Sequence, residues 1–372
     1  MFSSNYSGVR VLLTGDTGFK GAWLALWLRK LGAEVYGLAL PAADDATLFA
    51  RTRLQEKIHH IDGDISDLAT VEKTLAAVRP RIIFHLAAQA LVRESYHTPV
   101  ETMMTNVMGT VHLCDALRRY DAPCAMVVVT SDKCYENHEW VYGYRENDAM
   151  GGGDPYSASK GAAELVTASW RHSFFPVAKL SVHQKIIASA RAGNVIGPGD
   201  WAKDRIVPDA IRALLARESV LVRNPGAVRP WQHVLEPLSG YLWLGTKLLG
   251  KDAADFAEGW NFGPLPANVC TVRELVEGLL KTWGTGSWKM AGELNPPKEA
   301  HLLRLVIDKA VAQLNWLPVW SFPETVQHTV EGYRSIREHW DDADAVREVI
   351  EKQIMTYENA AKSMNLAWAS SK

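Results

Sequence analysis

The sequence predicts a doubly wound α/β protein: a parallel sheet of the Rossmann type with helices on both faces, carrying a smaller mixed α/β cap. Three observations predict it. A glycine-rich loop stands between an apolar strand and a helix within residues 9–31. Strand-like and helical runs then alternate as far as residue 192. Beyond residue 193 that alternation gives way to chain punctuated by Gly and Pro.

The elements follow in order. Val-Arg-Val-Leu-Leu-Thr at 9–14 reads as a short buried strand, and after Gly15 to Gly21 a helix places Trp23, Leu24, Trp27, Leu28 and Leu31 on one face. Gly32 ends that helix and a second strand runs over 34–40. Further strands are predicted at 58–62, 81–86, 124–130 and 186–192, with helices at 67–78, 98–119 and 154–173 between them. The dinucleotide-binding unit is placed at 1–190, with segments near 230–262 returning to it, and 191–372 forms mainly the cap. Near the end, Asp341, Asp342 and Asp344 precede an i, i+3, i+4 stripe of Val346, Val349, Ile350, Ile354 and Tyr357, an amphipathic helix expected to pack on the cap.

Composition narrows the function classes. A net charge of −2 over 372 residues gives no broad grip on nucleic acid or anionic membrane. No apolar run approaches the ~18–20 residues that span a bilayer, and Met1–Gly8 lacks a basic segment followed by an apolar one, so a cytoplasmic enzyme is expected. Cys114, Cys124, Cys134 and Cys270 form no CxxC pair, and the 12 histidines include no zinc-type spacing, so free thiols and no metal are expected.

Gly15, Gly18 and Gly21 form GxxGxxG where strand meets helix. A Cβ there would obstruct the tight turn and the approach of a pyrophosphate to the backbone, while the helix N-terminus offers free N–H groups to that anion. An acid about 20 positions on would hold the adenosine ribose. That stretch is instead Leu38 to Ala43, with Asp44 and Asp45 slightly late and no Arg for a 2′-phosphate. NAD is favoured over NADP, with a loose grip.

Tyr156 and Lys160 stand four apart at a helix start, after Asp154-Pro155. A nearby ammonium favours phenolate, and the pair can take a hydroxyl proton while hydride leaves the same carbon.

These motifs, with Gly63-Asp64-Ile65 and His85-Leu86-Ala87-Ala88, together resemble the extended short-chain dehydrogenase/reductase family. The resemblance implies a cofactor site of Gly15, Thr17, Gly18, Phe19, Gly21, Asp64, Ile65, Leu86, Ala87, Ala88, Thr130, Tyr156 and Lys160. Within it, Asp64 and Ile65 flank the adenine. Ser131 stands beside a substrate hydroxyl. After Ser131 come Asp132 and Lys133, where epimerases of the family lack an acid–base pair. With Ala88 to Arg93, Tyr144 to Asn147, Gly151-Gly152 and Arg229 to Val234, the chain is similar to the family's sugar-nucleotide 4,6-dehydratases that take CDP-glucose and feed deoxysugars of surface polysaccharides such as the O antigen.

The chemistry suits that pair. Oxidising C4 of a hexose acidifies the C5 proton, Lys133 in its neutral form is the candidate base, and Asp132 protonates the departing C6 hydroxyl. Hydride then returns to C6 and NAD⁺ is regenerated. The resemblance implies substrate contacts from Gln89, Arg93, Asn194, Arg205, Arg229 and His301, and Arg191 and Arg223 are further candidates with Arg205 and Arg229, since guanidinium forks match phosphate oxygens. The resemblance also implies a homodimer, or a dimer of dimers, built on helices 98–119 and 154–173. The alternatives are a sugar-nucleotide 4-epimerase, a dehydratase for a dTDP- or GDP-sugar, and a non-catalytic dinucleotide sensor.

Overall fold

The computed structural model describes residues 1–292 and 302–370. Seven parallel strands form one sheet: β1 (Arg10–Thr14), β2 (Glu34–Ala39), β3 (His59–Asp62), β4 (Ile82–His85), β5 (Cys124–Val129), β6 (Lys185–Ala192) and a last strand, Gly259–Phe262. Their order is Gly259–Phe262, β6, β5, β4, β1, β2, β3, so the chain reverses direction across the sheet between β1 and β4. That reversal opens a crevice above the strand C-termini. All six predicted strands are present, within two residues of their predicted ends.

Alternate residues of each strand supply two cores. Val11, Leu13, Val127, Ala188 and Ala190 face α1 (Phe19–Lys30) and the helix Leu235–Leu248. Leu12, Leu38, Ile83, Met126 and Ile187 face Leu68–Val78 and Gly109–Arg119. A third cluster holds the smaller lobe, joining Val207 and Ile211 to Leu275, Leu279, Val326 and Val330. Its helices, Ile206–Leu215, Val272–Trp283 and Phe322–Glu338, escaped prediction, although Thr271 with Glu274 and Ser321 with Glu324 form capping boxes at the starts of the last two.

Two expectations need correction. α1 is buried on all sides from Gly21 to Leu28 rather than along one face. The reason is the C-terminal helix, Ala343–Ser363, whose Val346, Ile350, Ile354 and Tyr357 enter the core shared with α1. Glu358 of that helix accepts from Trp27 Nε1 at 2.9 Å and pairs with Lys30, so the terminal stripe packs on the sheet-bearing part as well as on Phe322–Glu338.

Glu236 ties these parts together. Its buried carboxylate accepts from Val319 N (2.9 Å), Trp320 N (2.7 Å) and the Tyr357 hydroxyl (2.6 Å). Burial nevertheless raises its pKa to about 7, the three donors pulling the other way. Glu236→Ala orphans those donors, and the expected cost is about 2–4 kcal/mol of unfolding free energy, measured in urea. A loss below the scatter of surface substitutions would remove this role.

Candidate active site

The site grows from the C-terminal ends of β1, β4, β5 and β6. At β1, Gly15 has φ +80°, and a Cβ there would lie 2.7 Å from Ala87 N, so the loop after β4 closes directly on the glycine turn. At Gly21 a Cβ would lie 2.0 Å from Gly15 O, whereas at Gly18 the nearest atom would be 3.3 Å away. Gly18 caps α1 without any side-chain hydrogen bond, leaving the first-turn N–H groups available to an anion. Thr17 donates to Leu40 O at 3.0 Å and fastens the end of β2. Asp64 accepts from Ser66 N at 2.8 Å, and Ile65 is buried against Gly109. A backbone cradle that side chains would fill, closed by Leu86–Ala88 and facing an uncapped helix end, fits the pyrophosphate of a dinucleotide. Gly21→Ala is therefore expected to cost about 2 kcal/mol or more, while Gly18→Ala folds with nearly native stability. Thermal unfolding of the two variants distinguishes them, and equal losses would contradict the cradle geometry.

The reacting groups converge from β5 and the helix Pro155–Ser173. Asp154 accepts from Ser157 N at 2.9 Å and starts that helix, which carries Tyr156 and Lys160 on its first turns. Tyr156, Lys160, Ser131 and Asp132 are all buried. Ser131 hydrogen-bonds the Tyr156 phenol and donates to Asp132 Oδ1 at 2.9 Å. Among the described residues Asp132 Oδ2 has no hydrogen-bond partner, and it is directed at Gly193, where a Cβ would come within 2.9 Å of it. Burial raises the Asp132 pKa, against Lys133, the Ser131 bond and Arg229, which lower it. A carboxyl held toward its protonated form with one free oxygen is equipped to donate a proton.

The phenol departs from expectation. Burial pushes Tyr156 up to about 12, the Ser131 hydrogen bond being the chief opposing effect. The Lys160 ammonium lies 6.0 Å from the ring centroid, and burial lowers its own pKa to about 8. Desolvation thus outweighs the charge effect predicted from the pair.

A cleft of about 1550 Å³ collects Thr130, Ser131, Asp132, Lys133, Tyr156 and Phe19 on one wall. Arg93, Asn194, Arg205, Arg223 and Arg229 line it as well. Arg205 pairs with Asp200 at 2.9 Å. Arg223 (2.8 Å) and Arg93 (3.7 Å) share Asp204 Oδ1. Arg229 donates to Val228 O at 2.9 Å.

Two sequence candidates fall elsewhere. Gln89 turns into its own loop, its amide bonded to Leu91 and Thr102. Arg191 is buried beneath the site, donating to Glu164 Oε2 (2.8 Å) and the Tyr135 hydroxyl (2.7 Å), and is spent there. His301 lies outside the described residues.

Sequence reasoning missed three side chains. Asn106 sits in a π-helical turn, Met104–Met108, that interrupts the predicted helix 98–119. Its side chain accepts from Gln89 N at 2.8 Å and donates to Ser159 Oγ (2.8 Å), binding the loop after β4 to the Tyr156–Lys160 helix. A polar residue at a buried helical position was the available signal. Asp16 is buried in the glycine loop, lies over Gly37 of β2 and bonds His60 Nδ1 at 2.7 Å. Lys20, on the first turn of α1, lines the cleft beside Phe19.

A family model described as GDP-mannose 4,6 dehydratase matches residues 12–329. The chain belongs to the GDP-mannose 4,6 dehydratase family. Within the family's range of relatives, a CDP-glucose 4,6-dehydratase of Salmonella typhimurium is 49% identical over 337 residues, which is 90% of this chain and 93% of that protein. Two solved structures share the fold at 23% identity and TM-score 0.73. One is a dTDP-glucose 4,6-dehydratase of Streptomyces venezuelae with NAD and TYD bound, covering 90% of this chain and 99% of that one. The other is a UDP-glucose 4-epimerase of Thermotoga maritima with UDP-glucose, covering 89% and 99%. No helix among the described residues of this family member is long and apolar enough to cross a membrane.

Proposed function

We propose that the protein converts CDP-glucose to CDP-4-dehydro-6-deoxy-D-glucose and water. The observation that carries the reading is the run Ser131-Asp132-Lys133, beside the Tyr156 phenol in one cleft, in a chain 49% identical to the Salmonella CDP-glucose 4,6-dehydratase. NAD, which the glycine loop Gly15–Gly21 would hold, would supply the hydride acceptor for C4 and the hydride donor for C6. Tyr156, bonded to Ser131, takes the C4 hydroxyl proton. Lys160 offsets the negative charge that Tyr156 carries as phenolate before it takes that proton. Lys133 takes the C5 proton and gives it back to C5 when C6 is reduced, and Asp132 delivers its proton through Oδ2 to the C6 oxygen, which leaves as water. An epimerase expels nothing and has no work for that acid, so the epimerase alternative ranks second.

The same reading gives residues 1–190, with 230–262, to the cofactor and the remainder mainly to the sugar nucleotide. Arg205, Arg223 and Arg229 serve the diphosphate. Two copies pair through the helices Pro99–Met103 and Pro155–Ser173, an assignment supported by Val100, Met103, Met104 and Leu165, apolar side chains left exposed there. A cytoplasmic setting accords with four cysteines present as thiols, three of them buried.

Incubation with CDP-, dTDP-, UDP- and GDP-hexoses, read by mass spectrometry, tests the substrate. Loss of one water from CDP-glucose alone is expected, and interconversion without mass change would contradict the reading. Asp132→Asn is expected to slow water loss on the order of a hundredfold or more while C4 oxidation survives, seen as accumulated reduced cofactor. Equal loss of both steps would remove Asp132 from the acid's role.

A further inference from the structure

The wall of the cleft holds a cation that the chemistry above leaves unused. Lys20 is the second residue of α1, at the end where the helix dipole disfavours positive charge. Its ammonium lies 5.7 Å from the centroid of the Tyr241 ring, and among the described residues it has no hydrogen bond or ion pair. The charged groups that face it come from three other segments: Lys160 from the helix Pro155–Ser173, Arg205 from the head of the helix Ile206–Leu215, and Asp132 from the end of β5. Tyr241, from the helix Leu235–Leu248, adds only its ring. Two cations against one acid leave this amine poorly compensated, and burial together with Lys160 and Arg205 lowers its pKa to about 7.

Position says what such an amine meets. Lys20 is attached to the turn that fits the pyrophosphate, and its side chain lines the same cleft as Tyr156. A nicotinamide held from that turn with its ring beside Tyr156 would share this cleft with the Lys20 side chain. We propose that Lys20 sets the site's preference between oxidised and reduced cofactor, a reading that rests on NAD as the proposed cofactor. The oxidised ring is a cation and is repelled by an ammonium, while the reduced ring is neutral and is not. Lys20 therefore weakens the hold on NAD⁺, favours departure of hydride from C4, and keeps the reduced form in place until hydride returns to C6.

Two variants separate charge from packing. Lys20→Met keeps the apolar stem against Tyr241 and removes the charge, and Lys20→Arg keeps a permanent one. Dissociation constants for NAD⁺ and NADH, measured by calorimetric titration below and above neutral pH, give the readout. In the parent protein NAD⁺ is expected to tighten relative to NADH as pH rises through neutrality. Lys20→Met is expected to shift the ratio toward NAD⁺ on the order of tenfold and to abolish its pH dependence, and Lys20→Arg to shift it the other way. An unchanged ratio, or equal losses for both nucleotides in both variants, would reduce Lys20 to a packing role and overturn the proposal. Failure of the parent protein to bind either nucleotide would overturn the NAD reading itself, and this one with it.

Discussion

Beneath the reacting groups, Glu164 and Arg191 form a buried ion pair, with Nη2 and Oε2 2.8 Å apart, on which the geometry above them depends. Glu164 belongs to the helix that carries Tyr156 and Lys160, and Arg191 lies on β6. Glu164 also accepts from Thr130 Oγ1 at 2.5 Å and Ser189 Oγ at 2.6 Å, and Arg191 from its side donates to Tyr135 and to Glu146 O. One charge pair thus ties the phenol-bearing helix to the ends of both strands that present Ser131, Asp132 and Gly193. Burial works against both ions, but Arg191 and the two hydroxyls hold Glu164 below the usual carboxylate range. Removing one partner of such a pair strands the other charge and costs about 3–5 kcal/mol, so the arrangement is rigid in the place where a proton relay needs fixed distances.

Above that anchor the charges are sorted by depth. Asp132 is buried with one free oxygen, while Arg93, Arg205 and Arg223 stand higher in the cleft, each already near an aspartate. Asp200 and Asp204 keep those guanidinium groups in place before any anion arrives, which lowers the ordering cost of binding a diphosphate. The two halves of the site are coupled through Asn106. Its π-turn lets one side chain hold both the loop that closes on the glycine cradle and the helix of Tyr156.

Most of the sheet was legible because its strands are rich in apolar residues and bounded by Gly or polar turns, Cys124–Val129 being apolar on both faces and Lys185–Ala192 on one. The GxxGxxG turn and the Tyr156–Lys160 spacing were legible because local geometry fixes them. What was lost depends on distant contacts. Arg191 reads as a free cation until its register on β6 places it under Glu164. Gln89 reads as a substrate contact until Asn106 and Thr102 turn it inward. The effect of Lys160 on Tyr156 was misjudged because spacing along a helix carries no information about desolvation, which here dominates. The all-round burial of α1 likewise requires a helix more than 300 residues later, whose stripe marks an apolar face and not the surface that receives it.

The central claim is that this site moves hydrogen within one sugar, from C4 to C6, while removing water between them. Incubation with CDP-glucose carrying deuterium at C4, in ordinary water, tests it most directly. The account predicts a 4-keto-6-deoxy product with the deuterium on C6. Deuterium left at C4 of an epimerised sugar, or washed out into solvent, would contradict it.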